Sequence, residues 1–288
     1  MKRLEFLIRQ LRQSANIDGN DYSDELLERY FDEAQSKIRN IIFLSNNNSN
    51  ILKRIYELDV VTGQREYPLP ERMYAENSIL TVKYLSNSTD RDRWIPLRKL
   101  NIKSFETEFG YTLYNKELWL SAWPERSGFN QLQVIYNSQL PNLRLRSGSI
   151  QTISGNDVTL AAGFDGDLIN KGDYLTFVEF DGSIVKSDIR ILAQVGPTIT
   201  VDDATGLGVG DYCLSGAYST TNSELPVVCE EFLMKYVERR CAIGDSSAVD
   251  TNSTDLLTQE EKQEIMSLFE KSSDDVDYPI ISPETPWL

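Results

Sequence analysis

Leu58–Leu85, LDVVTGQREYPLPERMYAENSILTVKYL, is the stretch whose reading decides the fold. Val60 and Val61 are β-branched and suit a strand. Gly63 stands where a turn needs positive φ, and Pro68-Leu69-Pro70 fixes two φ angles and withholds two ladder donors. Ile79, Thr81, Val82 and Tyr84 then resume a strand composition. The segment reads as strand, turn, extended hinge and second strand. Helical sequence precedes it and sheet sequence follows it. It carries no nucleophile, no pair of metal ligands and no phosphate loop.

Upstream, Leu4, Leu7, Ile8 and Leu11 recur at helical spacing. Ser23 is placed as the N-cap of a longer helix to about Leu44, with Leu26, Leu27, Tyr30, Phe31, Ala34, Ile38, Ile41 and Ile42 on one broad face. Ile51–Tyr56 reads as one more short helical piece. Downstream, Trp94–Leu97 is extended and Leu100–Phe109 reads as a short helix. Tyr111–Tyr114, the turn Asn115-Lys116 and Glu117–Ala122 form a hairpin, broken by Trp123-Pro124. Leu132, Val134 and Tyr136 alternate as a further strand.

Residues 148–216 contain an internal repeat. Ile150–Gly155, Val158–Leu160 and Gly172-Asp173-Tyr174-Leu175 recur as Ile191–Gly196, Ile199–Val201 and Gly210-Asp211-Tyr212-Cys213-Leu214. Short strands at such spacing imply a small all-β barrel or sandwich, inserted because helical sequence resumes after it. Pro226 opens a helix to about Ile243 with Gly244 beyond it, and Thr258–Glu261 is a capping box opening another. The end, SSDDVDYPIISPETPWL, interleaves Pro279, Pro283 and Pro286 with Tyr278, Ile280, Ile281, Trp287 and Leu288. It is expected to lie extended against another chain, those five residues making the contact.

The expected fold class is therefore α+β. A helical part packs on an antiparallel sheet, a small all-β barrel or sandwich domain is inserted, and an extended C-terminal tail follows. The expected division is 1–147 with 222–271 as a core, 148–221 as the inserted β domain and 272–288 as a docking tail.

Composition narrows the chemistry. The 288 residues include no histidine, which removes the commonest general base and zinc ligand. Cys213, Cys229 and Cys241 are too few and too widely spaced for a disulfide framework or a zinc site, and Cys229 and Cys241 fall about 18 Å apart along one expected helix. No nucleotide-binding, nucleophile-elbow or zinc-protease motif occurs. Neighbouring carboxylates such as Glu230/Glu231, Glu260/Glu261 and Asp274/Asp275 diverge on a helix. Asp165, Asp167, Asp173, Asp202, Asp203 and Asp211 sit in turns without calcium-loop spacing. No catalytic residue, cofactor or metal is expected. Arg239-Arg240 and Arg91, Arg93, Arg98, Lys99 and Lys103 are the candidate electrostatic contacts.

The net charge of −15 is uneven: residues 148–221 hold three basic and ten acidic residues, and 222–288 hold five and fifteen. A protein that grips phosphates shows the opposite sign. No apolar run approaches the length of a membrane span, and the N-terminus does not read as a secretory signal, so folding in a cytosol is expected.

The order of these motifs resembles that of tailed-phage head-to-tail adaptor (connector) proteins. Thr62, Gly63, Tyr67, Leu69 and Pro70 match a T-x-G-x-x-x-Y-x-L-P element. Ile79, Val82 and a displaced Tyr84 match the strand after it. Tyr111, Leu118, Leu120 and Pro124 match a hairpin, and Leu132, Val134, Tyr136 and Leu140-Pro141 an exit. A helix opening at Leu225-Pro226 and an extended tail complete the pattern, which covers the chain apart from 148–216. With its added β unit the chain is similar to the larger neck ring proteins of short-tailed, crAss-like phages.

That resemblance implies a non-enzymatic homo-oligomeric ring, of twelve subunits, beneath the portal protein. Helices and tail would dock on the portal and β parts would meet tail or collar proteins, with genomic DNA passing through without specific binding. It also implies localisation in the virion neck or tail, and in host cytoplasm during assembly. Two rival readings are a carbohydrate- or receptor-binding tail protein using the 148–221 domain, with Trp94, Trp119 or Trp123 stacking on sugar, and a carboxylate-pair hydrolase.

Overall fold

The computed structural model describes residues 3–15, 17, 19, 21–45, 52–73, 78–85, 94–101, 108–161, 172–243 and 256–269. The fold is α+β, and the chain divides into two compact units: Met1–Ile41 with Gln139–Gln263, and Ile42–Ser138 with Glu264–Leu288. Close packing thus groups the N-terminal helices with the inserted β domain and leaves the sheet separate. The expected helix at Leu100–Phe109 and the tail at 272–288 lie largely or wholly outside the described residues.

In the second unit, β1 (Lys53–Val60), β2 (Glu66–Pro68), β3 (Ile79–Leu85), β4 (Trp94–Lys99), β5 (Gly110–Tyr114), β6 (Glu117–Leu120) and β7 (Gly128–Asn137) form one sheet in the order β1-β7-β3-β4-β5-β6-β2. Among the described residues every pairing in it is antiparallel except β4 with β5. From Lys53 on, the expected helical piece at Ile51–Tyr56 is instead the start of β1. Tyr56, Leu58 and Val60 alternate towards the core and Ile55 lies outside, which is the period of a strand. Pairing with β7 overrides the weak local helix propensity.

The opening stretch folds much as its residues dictate. Gly63 takes φ +74° in the turn after β1. Pro68 sits in β2 at the outer edge of the sheet, where a missing donor costs no ladder bond. Tyr67 is buried at 2% exposure, and its hydroxyl donates to the Gln64 carbonyl (2.9 Å) and accepts from the Val61 N–H (3.4 Å). Its ring joins Val60, Val82, Leu118, Leu120, Leu132 and Val134 in the core. Asn115 and Lys116 both take positive φ, as the two-residue hairpin joining β5 and β6 requires.

In the first unit, α1 (Leu4–Ala15) and α2 (Asp24–Ser45) come first. The Leu26 N–H donates to the Ser23 hydroxyl, so the expected cap is present. One face of α2 is a polar clamp on the segment that leads to the β domain. Asp32 accepts from the Leu143 N–H (2.9 Å) and from Arg144 (3.1 Å), and Glu28 accepts from the Leu145 N–H (2.6 Å). Burial raises the pKa of Glu28, against the lowering effect of that amide and of Arg144. The chain then makes β8 (Asn142–Leu143), which pairs in parallel with β15 (Ser219–Thr220) on the way out.

Between them lies a closed six-stranded barrel. Its strands are β9 (Gly148–Ser154), β10 (Asp157–Leu160), β11 (Tyr174–Val178), β12 (Ile184–Val195), β13 (Thr198–Val201) and β14 (Tyr212–Ser215), in cyclic order β10-β13-β12-β11-β14-β9. The sequence repeat is a structural repeat. Exchanging β9 with β12, β10 with β13 and β11 with β14 reproduces the same ring of pairings.

The register obeys the exchange too. Tyr212 faces Ser149 as Tyr174 faces Arg190, and Cys213 faces Gly148 as Leu175 faces Ile189. The Gly210 N–H donates to the Ile150 carbonyl as Gly172 donates to Ile191, at 3.0 and 2.9 Å. Matching positions fill the core: Ile150 and Ile191, Val158 and Ile199, Leu160 and Val201. Each such fully buried aliphatic side chain stabilises the barrel by about 1.5–3 kcal/mol.

After β15, α3 (Glu230–Ile243) is preceded by a 3-10 turn, Val227–Cys229. The expected helix therefore opens with a tighter turn. No side chain caps it, and i to i+3 bonds from Cys229 to Pro226 and from Glu230 to Val227 satisfy the first donors instead. Cys229 thus lies just ahead of the α-helix that holds Cys241. The helix α4 (Gln259–Leu268) opens on the expected capping box, Glu261 N–H to Thr258 hydroxyl at 3.2 Å and Thr258 N–H to Glu261 carboxylate at 2.9 Å.

Candidate functional site

Tyr278, Ile280, Ile281, Trp287 and Leu288, the expected partner-binding residues, lie outside the described residues. The described surface offers one other assembled site, at one end of the seven-stranded sheet, and the sequence motif builds it. The turn after β1 is stapled to the loop between β6 and β7. The Gly63 N–H donates to the Pro124 carbonyl (3.1 Å), and the Thr62 N–H to the Ser127 hydroxyl (2.9 Å). The two hydroxyls of Thr62 and Ser127 share a further bond at 3.0 Å. Arg65 Nε donates to the Leu120 carbonyl (2.8 Å), and the Arg65 guanidinium lies 5.0 Å from the centre of the Trp123 ring.

Held this way, the two loops present Val61 and Trp123 at 45 and 59% exposure, and Phe129 at the start of β7 is 71% exposed. Large apolar side chains fixed on a rigid frame, one of them backed by a cation, suit contact with another protein. Sequence reasoning marked Thr62, Gly63 and Trp123-Pro124 separately; only the fold shows that they are one structure.

Of the three tryptophans considered for sugar stacking, Trp123 is exposed. Trp119 is half-buried, packs edge-on against Tyr114 at 5.5 Å and donates to Glu117 (3.2 Å), and Trp94 is half-buried in β4. Trp94 and Trp119 lie in strands of the seven-stranded sheet and Trp123 in the loop between β6 and β7, so none lies in the barrel on which the sugar reading rests.

Several of the remaining candidates have structural partners. Arg239 makes a two-pronged ion pair with Glu261 (2.6 and 2.8 Å), and Arg240 lies over the Tyr30 ring at 4.7 Å. Arg239 holds the Glu261 carboxyl down to about 2. Arg98 pairs with Glu108 (3.2 Å), whereas Arg91, Arg93 and Lys103 lie outside the described residues. Glu231 pairs with Lys235 along α3.

Asp202 and Asp211 accept backbone N–H bonds from Arg190 and Gly208 within turns. Asp203, hydrogen-bonded to Lys186 and to the Thr205 amide, is lowered to about 2. Asp165 and Asp167 lie outside the described residues. Among the described residues no three His, Cys, Asp or Glu side chains converge as a metal site requires. Burial pushes the thiols of Cys213 and Cys229 up to about 12 and that of Cys241 to about 11, which keeps them protonated and unreactive at neutral pH. Among the described residues no helix is long and apolar enough to cross a membrane. No family model matches the sequence, and no curated protein matches it.

Proposed function

We propose that the chain is a structural protein of a tailed-phage virion, a head-to-tail adaptor forming an oligomeric ring between portal and tail around the DNA channel. It works by docking and not by catalysis. The observation that carries this reading is the sheet end. The residues that match the adaptor motif, Thr62, Gly63 and Tyr67, lock the turn that carries Val61 onto the loop that carries Trp123, with exposed Phe129 at the start of β7. The acidic excess of residues 148–288 agrees with a wall past which a duplex slides, since a cationic wall would hold it. The partners are the portal, the next tail or collar protein and further copies of the chain, and the location is the virion neck.

Native mass measurement and electron microscopy of the protein mixed with its portal test the reading. The expected outcome is a closed ring on the portal; a monomer that ignores the portal overturns it. Deleting Asp277–Leu288 is expected to weaken portal docking while leaving the circular dichroism spectrum unchanged. Normal assembly of the truncated chain would remove the tail from the account.

A second reading rests on the exposure of Trp123, whose ring could stack on a sugar face. Binding on a glycan array that disappears in Trp123→Ala would favour a receptor-binding tail protein instead.

A further inference from the structure

The two edges of the seven-stranded sheet differ. At one edge β2 is three residues long and carries Pro68, a residue that discourages further pairing. At the other lies β1, eight residues long, and among the described residues β7 is the one strand paired with it. Which groups β1 turns outward follows from its ladder. The Ser138 N–H donates to the Leu52 carbonyl (2.8 Å), and Lys53 stands opposite Asn137. Bonded and non-bonded pairs alternate along antiparallel strands, so Arg54, Tyr56 and Leu58 exchange bonds with β7. Ile55 and Glu57, with Lys53 before them, then point N–H and C=O away from the sheet. The Lys53 carbonyl accepts from Arg54 Nη1 (3.1 Å) and keeps a second lone pair. The register slips between Leu58 and Val60, which ends this regular edge.

We infer that β1 pairs with β1 of a second copy of the chain, antiparallel and about a two-fold axis at Ile55. The charge pattern of the edge selects this occupant. Lys53, Ile55 and Glu57 share one face of the strand, with the base and the acid equally spaced on either side of Ile55. The axis sets Lys53 of each copy against Glu57 of the other and Ile55 against its own counterpart. Ile55 is 59% exposed, an apolar side chain between charges that the contact would cover. Centring the axis on Glu57 sets like charges directly opposite, which is unfavourable. Centring it on Tyr56 sets Ile55 against Glu57 and calls on Asp59, where the register has slipped. A lysine on an edge ordinarily discourages pairing; here the symmetry supplies its acid. Glu57 Oε1 accepts from Gln133 (3.2 Å), which leaves its other oxygen for Lys53 of the second copy. So short a contact makes a weak pair whose population rises with concentration. It uses neither the sheet end nor the C-terminal tail and does not rest on the ring reading above.

Sedimentation of the full-length chain at rising concentration tests it, with charge exchange along the edge as the probe. The wild type is expected to associate reversibly. Lys53→Glu and Glu57→Lys should each weaken the association by about fivefold or more, because each turns two cross-strand attractions into two repulsions. The double variant Lys53→Glu/Glu57→Lys restores opposite charges and should recover it, with circular dichroism showing all three variants folded. Cross-linking gives an independent readout. The native thiols of Cys213, Cys229 and Cys241 are buried. In Ile55→Cys the two-fold sets the new thiols on Cα atoms about 5.5 Å apart, within disulfide range, so mild oxidation should join two chains. Val195→Cys, on the exposed barrel surface, should not cross-link. A chain that stays monomeric at every concentration, an association indifferent to both single exchanges, a double exchange that fails to recover it, or equal cross-linking at positions 55 and 195 would each overturn the proposal.

Discussion

Glu261 shows how much one side chain can hold in this fold. Its carboxylate caps α4 by accepting the Thr258 N–H, and it also grips Arg239 of α3 with both oxygens. Glu261→Ala removes a cap and a two-pronged ion pair together, so a loss of about 2–4 kcal/mol is expected in a denaturant titration. Glu261→Gln, which can still cap, should lose less. The pH dependence has a definite sign. The folded carboxyl titrates at about 2 against an ordinary 4.5, so its contribution is fully present above about 4.5 and is lost as pH falls towards 2. The wild-type chain should lose stability over that window more steeply than Glu261→Gln. The capping box was legible in Thr258–Glu261 because its logic is local. The ion pair was not, because Arg239 comes to Glu261 only once two helices pack.

At the scale of elements, what the sequence discloses depends on whether the signal is repeated or solitary. The barrel was legible because two runs carry the same turn glycines and the same apolar alternation. The structure returns those runs as matched hairpins, β9–β10 and β12–β13, with Gly155 at φ +60° and Gly196 at φ +57°. Nothing would touch a Cβ added at either. Gly155→Ala should therefore cost about 1–2 kcal/mol, seen as a lowered unfolding midpoint, and Gly196→Ala should cost more, because Pro197 further restricts the residue before it. An unchanged midpoint in either variant would show that the turn does not require its glycine. By contrast β1 was obscured: Ile51–Tyr56 alone is too short to show a period, and its strand character comes from β7 alongside it. The sheet end was legible only in pieces, since the bonds joining Gly63 to Pro124 and Thr62 to Ser127 span distant parts of the chain.

For the whole molecule, the two compact units each have a core of their own. Leu118 in the sheet and Phe177 in the barrel are both fully buried. Truncating either to Ala should cost about 2–5 kcal/mol. In calorimetry Leu118→Ala is expected to lower one transition and Phe177→Ala the other; a single transition that moves equally with both would show that the units melt as one. The uneven charge, read directly from composition, belongs to this scale as well. It sets the field that a partner or a passing duplex meets before any contact forms.

The parallel pairing of Asn142–Leu143 with Ser219–Thr220 has a consequence for modularity. Adjacent strands lie about 4.8 Å apart, so the chain leaves for the barrel and returns from it through one doorway. Because the two strands run the same way, closing that doorway takes a crossover of about a dozen residues and not a tight turn. Because exit and return are adjacent, the barrel is expected to tolerate lengthening or exchange for another small domain without rethreading of the rest of the chain. Expressing the barrel-less chain and finding the seven-stranded sheet's amide fingerprint intact would establish that freedom, and would give a minimal scaffold onto which new surface domains can be grafted.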